Sequence, residues 1–307
     1  FDRLTGGVAP AAERSRLHED PVAVKVAWTA QHAVETAVLH LAGVARELTG
    51  CENLCLAGGV ALNCKTNGLL GGPLYAPPVP HDAGIALGAA WHVSPPRGAA
   101  ELLSPYLGPL PGAADPAGLR AGTLDLEAVA DALAGGRIGA IVDGRGEAGP
   151  RALGNRSIVA SPGFPGMRDR LNRVKGREPW RPFGACALAS TAPGLWAARP
   201  RLDRYMLAGT PVLDGARSAI GAAVHVDGTT RPQVVGAGGD GALGRLLAAW
   251  DGRCGGALIN TSFNHAGEPL VSSAVDAVDA FRRMELDFLV VGDDLLTKRA
   301  DWQRPVG

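Results

Sequence analysis

No two of the five cysteines (Cys51, Cys55, Cys64, Cys186, Cys254) form a CxxC pair, and their number is odd. Neither a disulfide framework nor a zinc knuckle is indicated, and free thiols in a reducing cytoplasm are the expectation. No apolar run is long enough to span a membrane. The opening Phe1-Asp2-Arg3-Leu4 is polar and lacks the apolar core of a signal peptide, and Phe in place of Met suggests a trimmed or truncated chain. Net charge is absent too: 30 basic residues balance 30 acidic ones, which excludes a general polyanion-binding character. Lysine is scarce, occurring only at 25, 65, 175 and 298.

What is present is an ordinary globular composition, 46% hydrophobic and 20% charged, over 307 residues. That length suits two domains. Apolar residues recur at helical spacing from Val22 to Leu48 and predict one long amphipathic helix. Asn53–Ala57 reads as a short strand running into Gly58-Gly59, with helix resuming over Val60–Leu70 and again over Ile85–Trp91. Residues 94–122, rich in Pro and Gly and without periodicity, read as a linker. Beyond it helices are predicted at Leu124–Leu133, Met167–Lys175, Ala242–Trp250 and Ser273–Met284, and strands at Ile138–Val142, Ser157–Ala160, Ala257–Asn260 and Phe288–Val291. Val224–Val235 around Asp227-Gly228 reads as a β-hairpin. Strands alternating with helices indicate α/β (α+β) architecture in both parts.

Charge is unevenly placed. Between Arg145 and Arg181 nine basic residues face three acids, a local excess of +6. Arg151, within Gly149-Pro150-Arg151-Ala152-Leu153-Gly154-Asn155-Arg156, and Lys175 and Arg181, within Lys175-Gly176-Arg177-Glu178-Pro179-Trp180-Arg181-Pro182-Phe183, are flanked by Gly and Pro. A constrained backbone holding guanidinium forks suits a small, multiply charged phosphate ligand better than a solvated face does. His225 and Arg231 come together on the proposed hairpin. Asn260-Thr261-Ser262-Phe263-Asn264 follows a strand with a run of short donors and acceptors, suited to a ligand needing both. Gly58 and Gly59, lacking Cβ atoms at a strand-to-helix turn, would let a nucleotide approach the backbone, and the same turn is equally read as a tight connection. Asp82 reads either as a helix N-cap or as a hard oxygen ligand to a metal near phosphates.

Taken in order, LCLAGGVALN, HDAGIALGAAW, GPRALGNRS, RLNRVKGREPWRPF, HVDGTTRPQ and INTSFN make the chain resemble the nodulation, aminoglycoside and cephalosporin O-carbamoyltransferases, from about Val22 onward. The resemblance implies the C-terminal lobe of an actin/sugar-kinase-like transfer domain over 1–100, a linker over 101–122, and a YrdC-like α/β domain over 123–307. It implies that carbamoyl phosphate and ATP give carbamoyl-adenylate, whose carbamoyl group passes to a hydroxyl of a small secondary-metabolite or sugar acceptor. Carried over residue by residue, Lys175, Arg181 and Arg231 would be catalytic and would bind carbamoyl phosphate with Arg151, Ser262 and Asn264. Gly58, Gly59, Asn63, Arg151 and His225 would bind nucleotide. Asp82 would ligate a divalent metal, with iron a candidate, and Mg2+ would accompany ATP.

The resemblance also implies a missing N-terminal half of the actin-like domain, on the same precursor or a separate chain, and leaves room for a homodimer. This sequence departs from the family pattern in Gly184-Ala185-Cys186, where Ala-Pro is usual, and in Glu147-Ala148, where an acidic-aromatic pair is usual. Two other readings stand beside it. A hydrogenase-maturation-type carbamoylation factor would carry CxxC motifs and an acylphosphatase domain, absent from this sequence. An RNA- or nucleotide-binding module would want aromatics among the charges, and only Trp180 and Phe183 qualify. No nucleic acid is expected as a partner.

Overall fold

The computed structural model describes residues 16–96, 104–113, 115–236 and 241–306. Phe1–Leu4 and the linker positions 97–103 and 114 lie outside the described residues. The first helix, α1 (Pro21–Thr49), starts where the Asp20 carboxylate accepts from Val22 N at 2.8 Å with Pro21 in the first turn, and stops at Gly50, whose φ of 64° suits a residue without Cβ. Along its 29 residues none is buried. Two short parallel strands, β1 (Leu54–Cys55) and β2 (Leu74–Tyr75), flank α2 (Cys64–Leu69), and α3 (Ile85–Val93) follows. The expected helix over Val60–Leu70 is divided by Asn63, which ends a 3-10 turn (Gly59–Leu62) and caps α2.

An eight-stranded mixed sheet dominates the rest. Its strands are β3 (Arg120–Thr123), β4 (Ile138–Val142), β5 (Arg156–Ala160), β6 (Gly184–Leu188), β9 (Gln233–Val235), β10 (Leu258–Ser262), β11 (Phe288–Val291) and β12 (Asp294–Thr297). A separate short pair is formed by β7 (Thr210–Pro211) and β8 (Thr229–Thr230). The order across the large sheet is β3-β12-β11-β4-β5-β10-β6-β9, antiparallel except at β11–β4 and β6–β9. The helices are α4 (Leu126–Ala134), α5 (Met167–Val174), α6 (Pro200–Asp203), α7 (Ala242–Arg253) and α8 (Ala274–Arg283). Met167 and Leu171 of α5 and Phe281 of α8 pack one sheet face, where Ile138 and Ile158 point. Leu133 of α4 and Leu246 and Trp250 of α7 pack the other, where Ile141 and Val159 point. Strand residues alternate between two covered faces, so the sheet is the centre of a three-layer α/β sandwich.

One expectation is corrected. The proposed hairpin does not form: β8 pairs with β7 and β9 pairs parallel to β6, because Pro232 interrupts the run and each half finds a different partner. Asp227-Gly228 still makes a turn, with Gly228 at φ 78° and His225 N bonded to Thr229 O. The described residues of the linker run against the sheet domain. Tyr106 Oη donates to Leu153 O at 3.0 Å, Gly108 N donates to Gly146 O, Pro109 O accepts from Arg156, and its last residues enter β3.

Candidate active site

The ends of four adjacent strands bring the candidate residues together. In the β10 registers Ser262 lies opposite Ser157 of β5 and Asn260 opposite Gly184 of β6, so Asn260-Thr261-Ser262 sits where β5 and β6 begin. Helix α5 ends at the same place and presents Lys175 as its C-cap. The 149–155 loop is wrapped around one carboxylate: Glu147 Oε1 accepts from Leu153 N, Asn155 N and Arg156 N at 2.7, 2.9 and 3.3 Å. Those bonds turn Arg151 toward the cleft while burying Arg156, whose guanidinium donates to five carbonyls and is 1% exposed. Two arginines five positions apart thus take unlike roles.

Lys175 is 4% exposed. Its Nζ donates to Ser262 O, to Asn264 O at 3.0 Å and Asn264 Oδ1 at 3.2 Å, and approaches Ser262 Oγ at 3.3 Å. All four partners are neutral oxygens. Burial, reinforced by the nearby Arg177 charge, brings the ammonium pKa down to about 7. Ser262 Oγ donates to Asn264 Oδ1 at 2.6 Å and Asn264 Nδ2 to Glu268 O at 2.8 Å, so the three side chains form one fixed group.

Two adjoining hollows meet over this group. One, about 330 Å³, is lined by Arg151, Arg177, Arg181 and Arg231 with Trp180, Met206 and Asn260. The other, about 630 Å³, is lined by Lys175, Asn264 and His265, and shares Arg177, Arg181 and Ser262 with the first. Among the lining residues Glu178 is the one carboxylate, 2.9 Å from Arg181. Burial and the Arg231 charge lower the Arg151 pKa, and burial with Arg181 and Arg231 brings Arg177 down to about 10.

The buried Nε atoms of Arg151 and Arg231 have no hydrogen-bond partner, nor has the buried Oδ1 of Asn260. The Asn260 orientation is fixed by its neighbours. Gln233 Nε2 must donate to Leu153 O (2.6 Å), so Gln233 Oε1 accepts from Asn260 Nδ2 (2.6 Å) and leaves Asn260 Oδ1 as a spare acceptor. Crowded cations with spare donors, beside a spare acceptor, are the complement of an anion that carries an N–H group.

Residues 6–91 match the family model described as Carbamoyltransferase N-terminus, and residues 130–298 match Carbamoyltransferase C-terminus. The chain belongs to the carbamoyltransferase family. It is 39% identical to Nodulation protein NolO of Bradyrhizobium diazoefficiens over 90% of this chain and 56% of that protein. It is 36% identical to the 3'-hydroxymethylcephem-O-carbamoyltransferase of Amycolatopsis lactamdurans, over 82% of this chain and 50% of that protein. The chain thus spans about half the length of the curated relatives it matches. Full-length HypF in a phosphate- and nucleotide-bound form overlies 55% of this chain and 25% of its own, at 16% identity and a TM-score of 0.38, a likeness too slight to bear on function.

Within this carbamoyltransferase-family chain, the expected Arg151, Lys175, Arg181, Arg231, Ser262 and Asn264 all line the joined hollows. The other expected residues line neither. His225 Nε2 donates to Phe183 O at 3.1 Å and Nδ1 lies 3.3 Å from Thr229 Oγ1, so both ring nitrogens are engaged. Asn63 Oδ1 accepts from Thr66 N at 3.1 Å as the cap of α2, and its Nδ2 donates to Gln31 Oε1 at 2.9 Å. Gly58, at φ 90°, donates to Pro80 O, and ideal Cβ atoms at Gly58 and Gly59 would meet nothing within 4 Å. Asp82 is exposed in a 3-10 turn, Asp82–Gly84, whose cap position is His81. Among the described residues no group of three or more His, Cys, Asp and Glu could hold a metal, so Asp82 does not make a metal site with them.

These two regions nevertheless touch. Arg151 Nη2 donates to Leu62 O at 3.2 Å, and Gly149 approaches Pro78 O so closely that a Cβ would lie 2.6 Å away. Met206 and His265 were not among the expected site residues, and Asn260 was read only as part of a ligand-suited run, without a role of its own. Asn260 opens the NTSFN run and His265 follows it, whereas Met206 carries no signal in sequence: it is the positive-φ non-glycine residue of the described chain, at 56°.

Proposed function

We propose that the joined hollows bind carbamoyl phosphate and ATP and form carbamoyl-adenylate, the activated donor from which the carbamoyl group passes to a hydroxyl of a small secondary-metabolite or sugar acceptor. The observation that carries this reading is the pair of unpartnered guanidinium Nε atoms beside the spare Asn260 Oδ1. Arg151 and Arg231 supply donors for phosphate oxygens, and Asn260 Oδ1 supplies an acceptor for the carbamoyl N–H. Arg177 and Arg181 extend the positive wall toward a second, longer polyanion. Lys175 supplies an ammonium whose proton is readily gained or lost near neutral pH. Fixed cations in a recessed site stabilise charge that builds on leaving phosphate oxygens.

The chemistry balances with one water consumed. Water takes the phosphate off carbamoyl phosphate, and a carbamate oxygen then displaces pyrophosphate from the α-phosphorus of ATP. Magnesium would arrive with the triphosphate, which suits its preference for substrate oxygens. Asp82 does not fit a resident metal site on its own, and no step is assigned to one. Transfer to the acceptor belongs to the region around Gly58-Gly59, together with whatever supplies the remaining half of the relatives' length.

An RNA-binding role is less well supported, because Arg151, Lys175, Arg177 and Arg181 of the +6 segment line recessed hollows and three more of its arginines are spent internally. Arg156 is buried, Arg145 donates to Gly108 O at 3.1 Å, and Arg170 bridges to Asp287 at 3.4 Å. Exchange of labelled pyrophosphate into ATP, dependent on carbamoyl phosphate, tests the proposal. Arg181→Ala and Arg231→Ala should each lower it by tenfold to a hundredfold, the equivalent of about 1.5–3 kcal/mol for one charge-assisted contact. Exchange at the unaltered rate in both variants would reject the assignment.

A further inference from the structure

Trp180 is 42% exposed, whereas Trp196, Trp250 and Trp302 in the sheet layers are 8% exposed or less. Its exposure does not come from a loose loop. Asn172, 1% exposed on α5, donates through Nδ2 to Pro179 O at 3.0 Å and to Arg181 O at 3.1 Å, the carbonyls on either side of Trp180. Arg177 braces the same turn, donating Nε to Asn172 Oδ1 at 2.6 Å and Nη2 to Pro182 O at 3.2 Å. The backbone is clamped on both flanks while the indole stays open on the wall of the arginine hollow. The Arg181 guanidinium lies 5.9 Å from the ring centroid, at the outer limit of a cation–π contact, and leaves much of the ring surface uncovered.

We propose that Trp180 is the stacking platform for the base of the nucleotide whose phosphates the arginine hollow holds. This rests on the reading of that hollow as a site for ATP. A rigidly presented aromatic face beside a run of guanidinium groups matches a ligand that joins a flat base to a chain of phosphates. Carbamoyl phosphate has no aromatic surface. Trp180 therefore separates the two substrates: it contributes to holding ATP and not to holding the carbamoyl donor.

The test compares ATP with inorganic tripolyphosphate, which keeps the phosphate chain and lacks the base, by calorimetric titration of the 307-residue chain. Trp180→Ala should weaken ATP by about tenfold or more and leave tripolyphosphate within about twofold, and Trp180→Phe should keep most of the ATP affinity. ATP binding to Trp180→Ala at unaltered strength would overturn the platform while leaving the anion site standing. Equal weakening of both probes would also overturn it, since Trp180 would then merely shape the hollow. If the unaltered chain binds neither probe, the anion reading itself fails and the platform with it.

Discussion

At the scale of single residues, Lys175 is the group most sensitive to its surroundings. The charged and titratable groups facing it are Arg177 on its own loop, Arg181 and Glu178 beyond it, and His265 after β10, while Ser262 and Asn264 are neutral. With its pKa brought from the ordinary 10.5 to about 7, Lys175 is mostly neutral in the empty site at pH 8 to 9. An anion favours the charged form, so binding draws in a proton, and affinity must fall as pH rises through that range. Sulfate, which does not itself titrate there, should bind more weakly from pH 6 to pH 9, by up to about tenfold per unit above the pKa. Lys175→Met should lose both affinity and slope, while His265→Gln should keep the slope. A slope unchanged in Lys175→Met would contradict this account.

Each of the runs Lys175–Arg181 and Asn260–Asn264 was legible as a group, because a contiguous run on a strand end or helix end keeps its residues together wherever the element goes; that the two runs serve one ligand was what the family resemblance implied, not their spacing. Arg151 and Arg156 were not distinguishable in the same way. Only the fold around Glu147 decides which of them faces the cleft. Met206 has a positive φ without being the Gly, Asn or Asp that usually takes it, so nothing in its residue type announces the conformation.

At the scale of elements, the sequence periodicity found the helices other than the four-residue α6, with α2 read as longer than it is, and the apolar strands β4, β10 and β11, since these bury residues such as Ile141, Leu258 and Phe288 that carry a strong pattern. It missed β6, whose Gly184-Ala185-Cys186-Ala187-Leu188 is built from small residues between two strands, and β12, which opens on exposed Asp294. The hairpin expectation failed on pairing, which is a property of the whole sheet and not of the turn.

Helix α6 carries the next prediction. Its Asp203 is fully buried, accepting from Arg199 N at 2.6 Å and Thr210 Oγ1 at 3.3 Å. Burial outweighs those bonds and raises its pKa from 3.8 to about 6. The folded state therefore holds a proton between pH 4 and 6 that the unfolded state has released. The stability that Asp203 contributes is present below about pH 4 and is lost as pH rises through 6, a swing of about 2–3 kcal/mol. Asp203→Asn should flatten urea-unfolding free energies across this window. An unaltered pH dependence in that variant would show that Asp203 is ionised throughout.

At the scale of the whole molecule, the sheet and the segment from α1 to α3 are held together unequally. The joint is made largely of backbone and polar contacts: Arg151 to Leu62 O, Asn67 Nδ2 to Leu207 O at 2.8 Å, Arg199 to Leu70 O at 2.6 Å, and Gly209 N to Cys64 O. Gly68 allows the closest approach, where a Cβ would lie 2.2 Å from Gly209 O. A small cluster around Leu70, Leu74, Tyr205 and Leu207 completes it. Helix α1 is tied more lightly still: Gln31 bonds Asn63 and Thr66, Arg46 donates to Gly71 O, and half-buried Val38 and Ala42 touch the cluster, while Trp28, Leu41 and Leu48 stay 61%, 64% and 81% exposed. Most of a helix's stability in a protein comes from packing one face against the rest of the fold, and a helix with so little buried surface draws little from that source. In hydrogen exchange the amides of α1 should therefore open at a small fraction of the free energy needed at β4, β5 and β10. Anything that covers the exposed side chains, whether a second copy or the remaining half of a full-length relative, should raise α1 protection without changing that of β4. Protection of α1 equal to that of β4 in the chain alone, at a concentration where sedimentation shows a monomer, would mean that the helix is stabilised by something other than its contacts with the rest of the fold.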